Sequence, residues 1–237
     1  VSFSYKDDKG VSQTTATLPN PFNTKTQSVT ATVTNPLNLD CIITKPIEFV
    51  VNPLPVFERI DDTSIVCLNL PPIPIGVTSS DSRTYSYTWT RNGKAFPGVN
   101  STILIGLGGE YIVTATTKDG SNCSRSLSIT IAESKIATVE KKDIVVTDLN
   151  AGPNNTITVL TETLGIGDYE YAIDDESGPY QDEPLFELVR PGIHTIYIRD
   201  KNNCGIAKID VSVIGYKKFF TPNGDGIHDT WKVLGIR

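Results

Sequence analysis

Apolar and polar residues alternate along most of the chain. Stretches rich in Thr, Val, Ile and Tyr, such as residues 85–90 and 156–160, are separated by turns of Gly, Pro and Asn. A period of two residues predicts strands with one buried face. Nowhere do about twelve consecutive residues show the period of an amphipathic helix. The pattern therefore predicts an all-β fold.

Three of the four cysteines are evenly spaced. Cys41 and Cys123 are 82 residues apart, and Cys123 and Cys204 are 81 residues apart. A near-constant step predicts a tandem repeat. About 80 residues of short strands and turns are typical of one β-sandwich. Alternating strands precede the three cysteines at residues 28–34, 111–117 and 194–199, and follow them at 47–51, 127–131 and 209–214.

The repeat predicts four domains. Residues 1–55 are a partial β-sandwich repeat without its front strands, 56–134 and 135–215 are two complete repeats, and 216–237 begin a further domain. The first boundary lies at the Asn-Pro-Leu-Pro segment of residues 52–55, which favours a semi-rigid linker. Because the sequence has no Met and no secretory signal at its start, we interpret it as an interior piece of a longer protein.

Composition and charge exclude several classes of function. The net charge of −6 disfavours nucleic acid and anionic membranes as partners, because both attract basic surfaces. No apolar run approaches the ~20 residues of a spanning helix, so membrane insertion is not expected. The two histidines, His194 and His228, accompany no catalytic or nucleotide-binding motif. The composition therefore favours a secreted binding or structural module over an enzyme.

The middle repeat contains two cysteines on either side of a tryptophan. Cys67 precedes Cys123 by 56 residues and Trp89 lies between them, which resembles the Cys…Trp…Cys arrangement of immunoglobulin-like domains. We therefore predict a Cys67–Cys123 disulfide, with Cys204 unpaired and the partner of Cys41 outside this sequence. Four reduced thiols, or a Cys41–Cys67 bridge, are the alternatives.

The segment Asn223-Gly-Asp-Gly-Ile-His-Asp229 carries side-chain oxygens at its first, third and seventh positions. Oxygens alternating around glycines partly resemble a calcium loop, so Asn223, Asp225 and Asp229 are predicted metal ligands, and Ca²⁺ is the only cofactor considered. The alternative is a turn in which glycines permit positive φ and the Asp and Asn side chains bind backbone amides.

The same segment resembles a known family. It is similar to the opening of the type-B C-terminal sorting domain of the type IX secretion system, also called the gliding-motility-associated C-terminal domain, of Bacteroidota. The resemblance covers about residues 216–237, and His228 stands where the family usually has Asn. The matching residues are Phe220, Thr221, Pro222, Asn223, Gly224, Asp225, Gly226, Asp229 and Trp231.

The preceding repeats resemble those of large surface adhesins from the same bacteria. The third repeat matches them at residues 170–174, 178–181, 186–188 and 200–204. The middle repeat, with Trp89 and residues 109–111, is similar to the immunoglobulin-like or PKD-like type. The implied fold is a series of such β-sandwiches, with a period of about 82 residues, followed by the start of a β-rich sorting domain.

The resemblance implies a non-catalytic stalk and C-terminal export region of a cell-surface adhesin-like protein. The implied location is extracellular, at the outer-membrane surface. The implied partners are the type IX translocon, or associated outer-membrane and surface proteins, and surface polysaccharide through upstream regions. Two other functions stay open: accessory modules of a secreted enzyme with an upstream catalytic domain, and a Ca²⁺- or glycan-binding module.

Overall fold

A computed structural model describes residues 1–22, 25–148, 154–216, 219–227 and 229–236. The described residues form strands and two short 3-10 turns, at Lys141–Asp143 and Thr161–Thr163. Over these ranges, no helix has both the length and the apolar character needed to span a membrane. The predicted all-β fold class is confirmed.

The first sheet has one polar face and one apolar face. Its strand order is β2-β1-β3-β4, and every neighbouring pair is antiparallel. The register pairs Val29 with Ile47 and Val33 with Ile43, which puts these side chains on one face, while the Ser and Thr residues of β3 occupy the other. Val29 is fully buried, but Ile43 is 73% exposed. The strands are β1 (Ser2–Lys6), β2 (Ser12–Thr15), β3 (Gln27–Asn35) and β4 (Asn38–Phe49).

The middle part of the chain forms two sheets. Their strand orders are β10-β7-β5 and β6-β12-β11-β8-β9, and β6 runs parallel to β12. This order groups the strands as an immunoglobulin-like sandwich does, because β8 lies in one sheet with the last two strands, β11 and β12. The strands are β5 (Phe57–Arg59), β6 (Ile65–Cys67), β7 (Ile73–Ser79), β8 (Tyr85–Arg91), β9 (Lys94–Phe96), β10 (Thr102–Ile105), β11 (Gly109–Thr117) and β12 (Ser124–Ser134).

Two aromatic residues anchor this sandwich. Trp89 on β8 is 2% exposed, and its indole Nε1–H donates to the Asn100 carbonyl over 2.9 Å. Tyr111, near the start of β11, is fully buried, and its hydroxyl donates to the Leu107 carbonyl over 2.7 Å. A tyrosine at this point that binds backbone a few residues earlier is the tyrosine corner of immunoglobulin-like domains. Burial raises the pKa of Tyr111, so its hydroxyl stays a donor at neutral pH.

Tyr111→Phe is expected to lower the free energy of unfolding of the middle sandwich by about 1 kcal/mol, because it leaves the Leu107 carbonyl without its donor. Urea unfolding followed by Trp89 fluorescence, in a Trp231→Phe background, measures the change. Tyr180→Phe is the matched control, since that hydroxyl donates to Glu176 at an exposed turn and should count for less. Equal losses in the two variants would contradict the assignment.

The third part repeats the arrangement with fewer strands. One sheet has the order β13-β14-β16 and the other β15-β17-β18. Tyr171 pairs with Ile198, and Ile196 pairs with Ile209. The strands are β13 (Ile144–Thr147), β14 (Asn155–Val159), β15 (Tyr169–Ile173), β16 (Leu185–Val189), β17 (Gly192–Asp200) and β18 (Ile206–Val213). The core between the sheets is Ala137, Ile157, Val159, Leu164, Tyr171, Phe186, Val189, Ile196, Ile198, Val211 and Val213.

The contacts divide the chain into two compact units. The first consists of Val1–Phe57, Ser79–Tyr87 and Thr114–Ser126. The second consists of Glu58–Thr78, Thr88–Val113 and Leu127–Arg237. The division passes through strands β5, β7, β8, β11 and β12, so it does not follow the sequence repeat. The three boundaries between the four domains drawn from the repeat stay predictions.

The proline segment of residues 52–55 is held in place within the first unit. The guanidinium of Arg83 donates to the carbonyls of Pro53 and Leu54, each over 2.7 Å. Arg83 also pairs with the Asp81 carboxylate at 2.7 Å. The hydroxyl of Tyr85 donates to the same carboxylate and, as the largest influence, lowers the pKa of Asp81. The segment therefore has fixed partners for its carbonyl groups.

The predicted Cys67–Cys123 disulfide is wrong. Cys67 is bonded to Cys204, with 5.3 Å between their Cα atoms, while Cys41 and Cys123 are free thiols. Cys204, predicted to be unpaired, is thus bridged, and the pairing also rules out both four reduced thiols and a Cys41–Cys67 bridge. Bridges of antibody-type domains join the second and sixth strands. By their positions in the two sheets, β7 and β11 correspond to those two strands. Instead of cysteines, they carry Ile75, Val77 and Val113 in the core.

Candidate functional site

The residues that resemble a sorting motif lie in a segment that returns to the third sandwich. Strand β19 (Gly215–Tyr216) pairs with β20 (Val233–Leu234), and the rings of Tyr216 and Trp231 are 6.0 Å apart. Gly235 follows with a φ of +80°. A Cβ atom there would lie 2.1 Å from the Val213 carbonyl oxygen, so only glycine fits this close approach. The segment between β19 and β20 is thus closed at its base.

Asp229 organises the centre of this segment. Its carboxylate accepts backbone N–H groups from Asn223 at 3.0 Å, Gly224 at 2.7 Å and Gly226 at 2.7 Å. Both glycines have positive φ values near +80°, which turn their amides inwards. The amides of Gly224 and Gly226, followed by that of Asn223, lower the pKa of Asp229. The result is a backbone concavity filled by the chain's own carboxylate.

Asn223 and Asp225 complete the loop. The Asn223 side-chain amide donates to the Asp225 carboxylate over 2.9 Å, and the Ile227 amide donates to the same carboxylate over 2.7 Å. All three predicted metal ligands therefore bond to backbone or to one another. This is the geometry of the alternative turn interpretation. His228 lies outside the described residues, and the described ones contain no group of three or more His, Cys, Asp or Glu side chains suited to a metal. Ca²⁺ binding at Asn223, Asp225 and Asp229 stays a prediction.

Acid is expected to loosen this loop. Because hydrogen bonds lower the pKa of Asp229 in the folded chain, the stabilisation is complete above its unfolded value of about 3.9 and is lost as the pH falls through the lower folded value. The amide shifts of Gly224 and Gly226, followed by NMR, should titrate with a midpoint below about 3.9. Asp229→Asn should abolish that titration, with Asp175→Asn as the control. A midpoint at or above about 3.9 would contradict the geometry.

The apolar motif residues face solvent. Phe219 is 64% exposed, Phe220 51% and Trp231 55%. Large apolar side chains clustered on a surface mark interaction sites more often than isolated ones do. The structure thus brings Asn223, Gly224, Asp225, Gly226 and Asp229 into one hydrogen-bonded loop and leaves the aromatic side chains accessible. Thr221 donates to the Ile227 carbonyl over 3.3 Å, and Pro222 is exposed.

A second polar cluster, which sequence reasoning missed, surrounds the disulfide. Asp200, at the end of β17, is 1% exposed and accepts the Ser134 hydroxyl over 2.5 Å. Its other oxygen accepts the Cys204 amide at 3.3 Å. The Asn69 side chain donates to the Cys204 carbonyl over 2.8 Å and accepts the Ile136 amide over 3.0 Å. Buried polar groups of this kind are costly unless all are paired, as they are here.

The cluster and the disulfide join two successive sandwiches inside the second unit. Cys67 ends β6, which pairs with the last residues of β12, and Cys204 lies in the hairpin between β17 and β18. We call this set of contacts the joint. Its signal in the sequence was the repeat itself: Cys123 and Cys204 are 81 residues apart and occupy the same connection, after β11 and after β17.

The other candidates from the sequence have structural partners. His194 lies near the start of β17, at the position that Tyr111 occupies in β11. Its Nε2 is 2.8 Å from the Arg190 carbonyl oxygen. Its Nδ1 is 2.7 Å from the Asp174 carboxylate. Residues 169–180 are rich in acidic and aromatic side chains, and there the Arg199 guanidinium covers the Tyr180 ring at 3.6 Å. The contacts of His194 are therefore those of a corner of the sandwich, and the contact of Tyr180 is that of a turn.

No protein-family model matches the sequence, and no curated protein sequence matches it. Among solved structures, extracellular domains 3–5 of Drosophila OTK are similar with 10% identity, 90% of this chain and 77% of that chain covered, and a TM-score of 0.44. Three N-terminal domains of the bacteriophage RB49 outer capsid protein Hoc are similar with 12% identity, 90% of this chain and 86% of that chain covered, and a TM-score of 0.42. The I-band fragment I67–I69 of titin is similar with 12% identity, 91% of this chain and 87% of that chain covered, and a TM-score of 0.40. The fold is immunoglobulin-like. The strand order and the tyrosine corner of the middle sandwich both have this form.

Proposed function

We propose that this chain is the non-catalytic stalk and C-terminal export region of an extracellular, adhesin-like surface protein that the type IX secretion system carries across the outer membrane of Bacteroidota. The proposal has two parts. Serial sandwiches hold a distal binding region away from the cell, and the loop around Asp229 belongs to the signal that the translocon or its surface partners recognise.

The stalk part rests on the joint. A stalk has to transmit force without separating its units, and a covalent bond between consecutive sandwiches resists separation better than a noncovalent contact does. The buried Ser134–Asp200 hydrogen bond and the Asn69 contacts fix the geometry around that bond. The clamped linker at Pro53 and Leu54 favours the same role.

The export part rests on the C-terminal loop, and this observation carries the proposal. Glycines, Asp and Asn of the resembling motif all have backbone roles, so the motif defines one loop shape. The aromatic residues of the segment are left on the surface, where a receptor can reach them. A rigid loop with exposed apolar groups lowers the cost of ordering on binding.

Surface display in a type IX-competent bacterium tests the proposal. The complete parent protein is expressed as wild type, as Asp229→Ala and as the control Asp175→Ala, which alters a turn in the third sandwich. Surface protein is measured with antibody on intact cells, and total protein in lysates. We expect the Asp229 variant to lose most of its surface fraction, while the Asp175 variant keeps it. Equal display of all three proteins would overturn the export part.

A further inference from the structure

The first sheet resembles one sheet of the middle sandwich with a strand missing. Its order β2-β1-β3-β4 corresponds to β9-β8-β11-β12, and in the middle sandwich β6 continues that sheet beyond β12. Among the described residues, no strand lies beyond β4. The outer edge of β4 therefore presents unpaired backbone groups of the kind that accept another strand.

The register shows where such a strand would pair. In the middle sandwich the Ala132 amide donates to the Ser64 carbonyl over 2.7 Å, and the Leu68 amide donates to the Ser134 carbonyl over 2.9 Å. The positions 82 residues earlier are Val50 and Asn52. Strand β4 has already ended at Phe49, three residues short of the end of its counterpart. Beyond β12 lies β6, whereas among the described residues β4 is the edge of its sheet.

Cys123 occupies the place of the bridged Cys204. Both cysteines lie in the hairpin after the corresponding strand, and each follows an Asn with positive φ, 53° at Asn122 and 63° at Asn203. The last residue of the strand accepts the cysteine amide in both: Thr117 Oγ1 at 3.0 Å from Cys123 N, and Asp200 at 3.3 Å from Cys204 N.

The surroundings of the two sulfur atoms also correspond. Cys204 is bonded to Cys67, which pairs with Ser134 at the end of β12. The half-buried thiol of Cys123 lies 3.9 Å from the carbonyl oxygen of Asn52, the counterpart of Ser134. Among the described residues, no cysteine takes the place of Cys67 beside Cys123.

We propose that Cys123 is one half of a second joint, which forms a disulfide with a cysteine on a β6-like strand from another repeat of this kind. The strand pairs in parallel with residues 50–52 at the outer edge of β4. The bond forms by thiol–disulfide exchange with a low-molecular-weight disulfide that caps the incoming cysteine. The Cys123 thiolate attacks the sulfur of that cysteine, one S–S bond replaces another, and the small thiol leaves and takes up the proton.

A peptide with the sequence of residues 63–69, carrying its cysteine as the mixed disulfide with glutathione, tests the proposal on the full chain. The protein is the Cys41→Ser variant, so that Cys123 is its one free thiol. The control peptide has the same composition in scrambled order. We expect the β6-like peptide to label Cys123 about tenfold faster, which corresponds to ~1.4 kcal/mol of docking. The Cys123→Ser variant, in which only Cys41 reacts, should label equally fast with both peptides.

Two measurements decide the outcome. Mass spectrometry of the digested adduct gives the labelled cysteine and its rate, and hydrogen exchange reports whether the Val50 amide becomes protected in the adduct. Equal rates for the two peptides at Cys123, or an adduct without added protection at Val50, would overturn the proposal. This result is independent of surface display, because the peptide assay uses no secretion machinery.

Discussion

Opening the Cys67–Cys204 bridge is expected to lower the free energy of unfolding by about 5 kcal/mol at 25 °C. The bridge closes a loop with a sequence separation of 137 residues, and the loss of chain entropy in the unfolded state grows with loop length. For a protein of this size, that loss corresponds to a decrease of roughly 10–20 °C in Tm. It is the largest single contribution that we expect from any one pair of residues.

The experiment compares the oxidised chain with the Cys67→Ser/Cys204→Ser double variant by calorimetry and urea unfolding. The Cys41→Ser/Cys123→Ser variant is the matched control, since it removes two thiols that form no bridge within this chain. Reductant should shift the melting curve of the oxidised chain and of the control but not that of the double variant. Melting curves of the oxidised chain that do not move on reduction would contradict the pairing.

Trp89→Ala is expected to cost the middle sandwich about 3–5 kcal/mol. Trp89 is among the largest fully buried side chains, and its removal leaves a cavity and the Asn100 carbonyl without its donor. Gly98 borders this space, with the indole Cδ1 3.5 Å from where a Cβ atom on Gly98 would be.

The matched control for this prediction is the other tryptophan. Trp231 is 55% exposed, so Trp231→Ala should change the stability of the sandwiches by less than about 0.5 kcal/mol. Unfolding is followed by far-UV circular dichroism, because the substitutions remove the fluorescent groups. A loss at Trp89 no larger than that at Trp231 would show that Trp89 is not a core residue.

The sequence predicted those features that depend on neighbouring residues. Alternation gave β8 and β14 to within a residue or two, because a strand with one buried face imposes its period on the chain directly. The cysteine step predicted the repeat because equivalent hairpins recur in equivalent places. For residues 223–229 the sequence left two interpretations open, and the geometry found is that of the alternative one, a turn with side-chain oxygens bound to backbone amides.

The disulfide failed because pairing depends on the three-dimensional position of each strand. Cys67 lies on β6, which pairs with β12, whereas the prediction placed Cys67 and Cys123 on an early and a late strand bridged within one sandwich. Spacing around Trp89 cannot tell these positions apart. Cys204 also belongs to a different sandwich, so no pattern inside one repeat identifies it as the partner.

The corner at the start of β17 escaped prediction for a different reason. His194 and Tyr111 share no chemistry that a pattern search would match, yet each reaches a carbonyl four residues earlier at 2.7–2.8 Å. At that point the fold needs a polar side chain long enough to reach the carbonyl oxygen four residues earlier, and both tyrosine and histidine are long enough. Only the backbone geometry reveals that they are equivalent.

Single-molecule stretching of the full chain tests the central claim, that a covalent joint ties consecutive sandwiches together. Under force, the bridge removes the 137-residue separation between Cys67 and Cys204 from the extensible length, which at ~3.4 Å per residue is about 470 Å. We expect the oxidised chain to extend by that much less than the reduced chain. The Cys67→Ser/Cys204→Ser variant should match the reduced chain with or without reductant. Equal extension of the wild type under both conditions would contradict the account.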